Sequence, residues 1–193
     1  MNKIVLLLSL FAIGFTSCKN SEEEIDELKI AKRYYEALDT SDTSKIASLL
    51  TDSLHTKETE YDYEQIFTKK EYVEWLKWDA IFEPTYEVLQ IGQEEEVVKA
   101  KISKVDKRIL FLHEGPIVTN QVIRFDADKI ISVETTKYEV FNDSVFSKNR
   151  GELLSWVDEN HPDLKGFIYD QTEAGAQKYM EIIRLYQNRE DKP

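Results

Sequence analysis

The spacing of apolar residues along this 193-residue chain changes from three-and-four to two at Pro84, and changes back after Phe141. A chain patterned this way has to lay helices against a sheet, because each element buries one face and needs a partner for it. Upstream of the switch, Ile25, Leu28, Ala31, Tyr34, Tyr35 and Leu38 form one stripe, which predicts a helix from about Glu22 to Asp39. Asp39-Thr-Ser-Asp42-Thr-Ser44 supplies the capping and turn residues that break it. A short second helix carries Ile46, Leu49 and Leu50. Thr68-Lys-Lys-Glu71 has the capping-box form and opens a third, with Tyr72, Trp75, Leu76 and Ala80 on one face and Pro84 as its stop.

Downstream the pattern predicts strands. Tyr86, Val88 and Gln90 alternate with Glu87, Leu89 and Ile91, and Gly92-Gln-Glu-Glu makes a turn into the strand of Val98, Ala100 and Ile102. A third strand is expected over Ile109 to Glu114 and a fourth from Ile117 to Phe125. Asp126-Ala-Asp-Lys129 is a hairpin turn, and a fifth strand runs through Ile131, Val133 and Thr135 to about Phe141. Helical spacing returns over Gly151 to Glu159 and again from Asp170-Gln-Thr-Glu173 through Ala176, Tyr179, Met180, Ile183 and Tyr186. The class is α+β: helices, an antiparallel meander, then a C-terminal helical extension over residues 144–193.

The first residues carry a different message. Lys3 precedes an apolar run from Ile4 to Phe15, too short for the roughly 20 residues that span a bilayer but suited to a signal peptide. Phe15-Thr16-Ser17-Cys18 resembles the lipobox of bacterial lipoproteins, with Phe15 in place of the usual Leu. That resemblance implies cleavage after residue 17 and a diacylglycerol on Cys18. The expected organisation is then a signal peptide over 1–17, an acidic tether over 18–27, a core domain over 28–143 and the extension over 144–193. The membrane partner would be held through the lipid on Cys18, since several acyl chains together anchor firmly where one does not. Lys19-Asn-Ser-Glu-Glu-Glu24 reads as a solvated tether, and it also resembles an acidic tag that sends some lipoproteins to the outer face of the outer membrane. The expected location is the outer membrane of a Gram-negative bacterium, with display at the cell surface as the further reading.

Composition removes several functions. Cys18 is the sole cysteine, so lipidation leaves no thiol for catalysis, zinc or a disulfide. The net charge of −12 repels phosphate backbones and argues against nucleic acid. Six glycines and no Gly-rich signature give no phosphate-cradling loop. His55, His113 and His161 lack the spacing of a zinc site, so no metal and no cofactor is expected.

Two stretches carry a wider resemblance. RYYEALDTSDTSKIASLLTDSLHTKE (residues 33–58) and QVIRFDADKIISVETTKYEV (residues 121–140) are similar to the first helices and the last hairpin of the nuclear transport factor 2-like superfamily, which includes ketosteroid isomerases and SnoaL-like proteins. The resemblance implies a cone-shaped curved antiparallel sheet wrapped around three N-terminal helices, with one open pocket. In ketosteroid isomerases a phenol binds the enolate oxygen, one carboxylate moves the proton and a second, protonated acid supports the phenol. On this sequence those positions fall on Tyr34, Glu58 and Gln121, and the amide of Gln121 departs from the pattern. His55, Trp75, Trp78 and His113 are the further candidates for the pocket lining.

Three functions follow as expectations. The preferred one is a lipid-anchored protein that binds a small molecule or peptide in its cone without catalysis. The second is an isomerase- or dehydratase-like enzyme using Tyr34 and Glu58. The third is a structural or partner-binding lipoprotein whose extension closes the pocket. Relatives of this fold pair through the open sheet face, so a homodimer stays open as well.

Overall fold

A computed structural model of the chain describes residues 26–189. The expected signal peptide, Cys18 and the expected acidic tether up to residue 25 lie outside the described residues.

Helix α1 (Glu27–Asp39) starts where the Asp26 carboxylate accepts the Lys29 N–H at 2.8 Å, and α2 (Thr43–Leu49) starts at Asp42 in the same way. Strands β1 (Leu50–Glu58) and β2 (Tyr63–Thr68) form a hairpin before α3 (Lys69–Ala80), whose capping box of Thr68 and Glu71 is present in both directions. Then come β3 (Thr85–Glu94), β4 (Val97–Val105), α4 (Lys107–His113), β5 (Ile117–Asp126) and β6 (Lys129–Val140). The chain ends in α5 (Asp143–Asn160), two short 3-10 turns and α6 (Glu173–Gln187).

The six strands form one sheet in the order β2-β1-β6-β5-β4-β3. All neighbours are antiparallel except β1 and β6, which run parallel. A chain of five meander strands therefore misses the β1–β2 hairpin, and with it the one parallel pairing in the sheet. Register shifts in β1, β3 and the β5–β6 pair bend the strands, as bulges do, and the sheet curves without closing. Ala31, Tyr34, Tyr35 and Leu38 of α1 pack into its concave side with Ile46, Leu54, Ile102, Ile123 and Ile130. A second core joins Trp78 and Phe82 at the end of α3 to Leu153 and Val157 of α5 and Ala176, Tyr179, Ile182 and Ile183 of α6.

Two expectations are corrected. Ile109–Glu114 is not a strand: residues 107–113 form α4. The Asp106 carboxylate accepts the Ile109 N–H at 2.5 Å and opens the helix, and Glu114, at a left-handed φ of 62°, closes it. Ile109, Leu112 and His113 are buried on one face while Leu110 is exposed, which is helical and not alternating burial. The helix placed at Gly151 opens at Asp143 instead, capped by Asn142, whose side-chain oxygen accepts the Val145 N–H.

Candidate functional site

The concave face of the sheet, α3, α4 and the inner side of α5 enclose a cavity of about 820 Å³. That is within the range of about 300–1,000 Å³ common for small-molecule sites. Its apolar wall is an aromatic ladder: Tyr72 stacks on Trp75 at 5.7 Å and Trp75 meets Trp78 at 6.0 Å, while the buried Phe82, outside the lining, meets Trp78 edge-on at 5.0 Å. The ladder exists because α3 places Tyr72, Trp75 and Trp78 three residues apart on one face. The extension lines the cavity without filling it. Phe146, Ser147 and Arg150 of α5 and Tyr179 of α6 supply one side.

Tyr34, Glu58 and Gln121 all line this cavity, yet each is bonded to a different partner. The Tyr34 hydroxyl shares a buried hydrogen bond of 2.6 Å with that of Tyr72. Burial pushes Tyr34 up to about 12, so it is a neutral phenol at ordinary pH. Gln121 Oε1 accepts from Tyr35 at 2.8 Å, and not from Tyr34. The Glu58 carboxylate accepts from Tyr138 at 2.8 Å. Burial, followed by the charge of Glu58, raises the Tyr138 phenol well above its usual value.

Trp75 and Trp78 line the cavity, whereas His55 and His113 stand outside it. His55 lies on β1 facing Glu64 of β2 at 3.4 Å. His113 is a brace. Its Nε2 accepts the Asn142 N–H at 2.7 Å, so Nδ1 carries the hydrogen and donates to Gly115 O at 2.9 Å, and its ring stacks on Phe141. Among the described residues no group of three His, Cys, Asp or Glu side chains is gathered to hold a metal ion.

Beneath the ladder lies a cluster of four charges. Lys104 Nζ donates to both oxygens of Asp79 at 2.8 Å, and Tyr86 donates to the same carboxylate at 3.2 Å. Arg108 donates to Asp106 at 3.2 Å and stands 3.8 Å from Asp79. The side chain of Asp79 is 2% exposed and that of Asp106 is 0%, while Lys104 and Arg108 each keep 20% toward the cavity. The Arg108 guanidinium lies 4.8 Å from the Trp78 ring centre, and the Lys104 ammonium 4.9 Å from that of Tyr86. Two buried acids are each matched by a cation, the condition under which buried charge is tolerated.

The sequence held signals for these residues that its reading passed over. Asp79 sits seven residues after Tyr72 and three after Leu76, on the apolar stripe of α3, where a carboxylate has no place unless it is paired. Asp143, Phe146, Ser147 and Arg150 recur at helical spacing and form the cavity face of α5.

No protein-family model matches the chain, and no curated protein matches it. Solved structures do. A candidate SnoaL-like polyketide cyclase from Shewanella denitrificans is similar with a TM-score of 0.50 at 12% identity, over 65% of this chain and 97% of the other. A candidate ketosteroid isomerase from Kribbella flavida is similar with a TM-score of 0.50 at 10% identity, over 59% of this chain and 78% of the other. These likenesses define the fold as a nuclear transport factor 2-like cone.

Proposed function

We propose that this chain is an exported, lipid-anchored envelope protein whose cone binds a small molecule or peptide without chemistry. The observation that carries the binding reading is the aromatic chamber of about 820 Å³, in which Tyr34, Glu58 and Gln121 are each engaged by a separate side chain. A site for proton transfer needs its acid and base directed at one reacting centre. A receptor needs only a dry wall and a few polar groups that orient its guest. The anchoring part of the reading rests on Phe15-Thr16-Ser17-Cys18 and its flanks.

An isomerase- or dehydratase-like reaction is the second reading. It is favoured by one observation: the phenol of Tyr34 and the carboxylate of Glu58 line the same cavity. A thermal-shift screen against steroid ketones, apolar acids and short peptides separates the two. The proposal predicts that stabilising compounds are recovered unchanged, and that Glu58→Gln binds them as the parent does. Turnover of any of them, lost in Glu58→Gln, would establish the enzyme instead.

A further inference from the structure

We infer that the chamber takes an organic anion, an apolar body ending in a carboxylate, and that Arg150 of the C-terminal extension receives the charge. The inference rests on the ligand-binding reading and gives it a ligand class.

The cavity's cations are not equivalent. Lys104 and Arg108 face Asp79 and Asp106, so that group of four is neutral as it stands. Arg150 lines the same cavity, half-buried, and forms no ion pair or hydrogen bond among the described residues. The cavity's own carboxylates do not reach it. Glu58 is held by Tyr138, and Asp143 lies seven residues back along α5, about 10 Å by helical rise. Tyr179 lines the same cavity; burial raises its phenol, and the charges of Arg108 and Arg150 oppose that shift.

A guanidinium carries donors and no acceptors. An acceptor with negative charge satisfies Arg150 best, because a carboxylate matches the guanidinium fork with two parallel hydrogen bonds. The aromatic faces of Trp75, Trp78 and Tyr179 give the rest of the ligand an apolar bed. The overall charge of −12 works against unspecific adsorption of anions, so a preference for them has to be local.

The test uses the full chain and two fluorescent probes with one ring skeleton. Anilinonaphthalene sulfonate carries the negative charge, its sulfonate standing in for the carboxylate, and phenylnaphthylamine is its neutral counterpart. Binding is read by energy transfer from tryptophan. The inference predicts that the anion binds more tightly than the neutral probe. It predicts that Arg150→Gln weakens the anion by about tenfold or more, the scale of a hydrogen bond to a charged group, and leaves the neutral probe within about twofold of the parent. Should Arg150→Gln lose both probes, Arg150→Lys decides: it keeps the charge and loses the fork, and has to weaken the anion while holding the neutral probe. Equal affinity of the two probes, or an anion affinity unchanged in either variant, overturns the anion inference and leaves the chamber standing. Failure of both probes to bind the parent overturns the chamber and the inference together.

Discussion

Tyr34, Tyr35, Tyr72 and Tyr86 are four phenols inside one core, and burial is the first cause that raises each of them. In the unfolded chain such a phenol ionises near 10.0, whereas Tyr34 does so near 12 in the fold. Above pH 10 the folded form thus holds more protons than the unfolded one, and stability falls as pH rises toward 12. Below 10 the contribution is complete. Three tyrosines, Tyr61, Tyr63 and Tyr169, are exposed, so an alkaline titration is expected to show part of the tyrosinate absorbance rising in one cooperative step with the loss of circular dichroism; the whole rise completed with the fold intact would contradict it. The Asp79–Lys104 pair makes a second residue-scale prediction. Asp79→Asn removes the two hydrogen bonds of a largely buried ammonium to its charged partner, leaving Asp106 at 4.0 Å as the remaining counter-ion, and is expected to cost about 3 kcal/mol in urea denaturation. The double variant Asp79→Asn/Lys104→Met should recover part of that loss, giving a coupling well above measurement error. Asp79 itself was legible as an acid on an apolar stripe. Its partner was not, because Lys104 arrives from a strand 25 residues downstream and nothing local in the sequence states that meeting.

At the scale of elements, helices were legible where a cap and a stripe coincide, as in Thr68-Lys-Lys-Glu71 followed by Tyr72 and Leu76. The segment Ile109-Leu-Phe-Leu112 defeated the same reasoning. A short apolar run has no readable period, and its β-branched start favours a strand. The deciding feature was Asp106, one carboxylate that both caps α4 and pairs with Arg108. The β1–β2 hairpin was hidden for a different reason. Ile66 is 72% exposed and most of β2 is wet, so its residues carry little alternation to read. Helix α6 offers a test in which packing and propensity disagree. Gly175 lies in its first turn, and a Cβ there would stand 2.2 Å from the Asp170 carbonyl oxygen. Gly→Ala inside a helix normally stabilises by about 1 kcal/mol. Here Gly175→Ala is expected to destabilise by about 1–3 kcal/mol through the clash, visible as a lower Tm; a higher Tm would show that the 170–172 turn gives way freely.

At the scale of the molecule, the cone and its extension share one chamber. The resemblance of residues 33–58 and 121–140 to the superfamily carried the cone, because those stretches hold α1, α2, β1 and the β5–β6 hairpin. The extension lay beyond that resemblance, and its inward face emerged only from the way α5 packs on α4. Two interventions act at this scale. Removing residues 143–193 strips Trp78 and Phe82 of Leu153, Val157, Tyr179 and Ile183, so the truncated chain is expected to aggregate or melt earlier on heating. Replacing Cys18 by Ala is expected to move the protein from the membrane fraction to the soluble one, checked by fractionation and by the mass of the N-terminal peptide. The most direct test of the account is equilibrium dialysis of the full chain against a defined mixture of apolar carboxylates and steroid ketones, with both compartments analysed by chromatography and mass spectrometry. The account predicts that at least one compound accumulates on the protein side with its mass and retention unchanged. A mixture left evenly distributed, or a compound converted into a product, would contradict it.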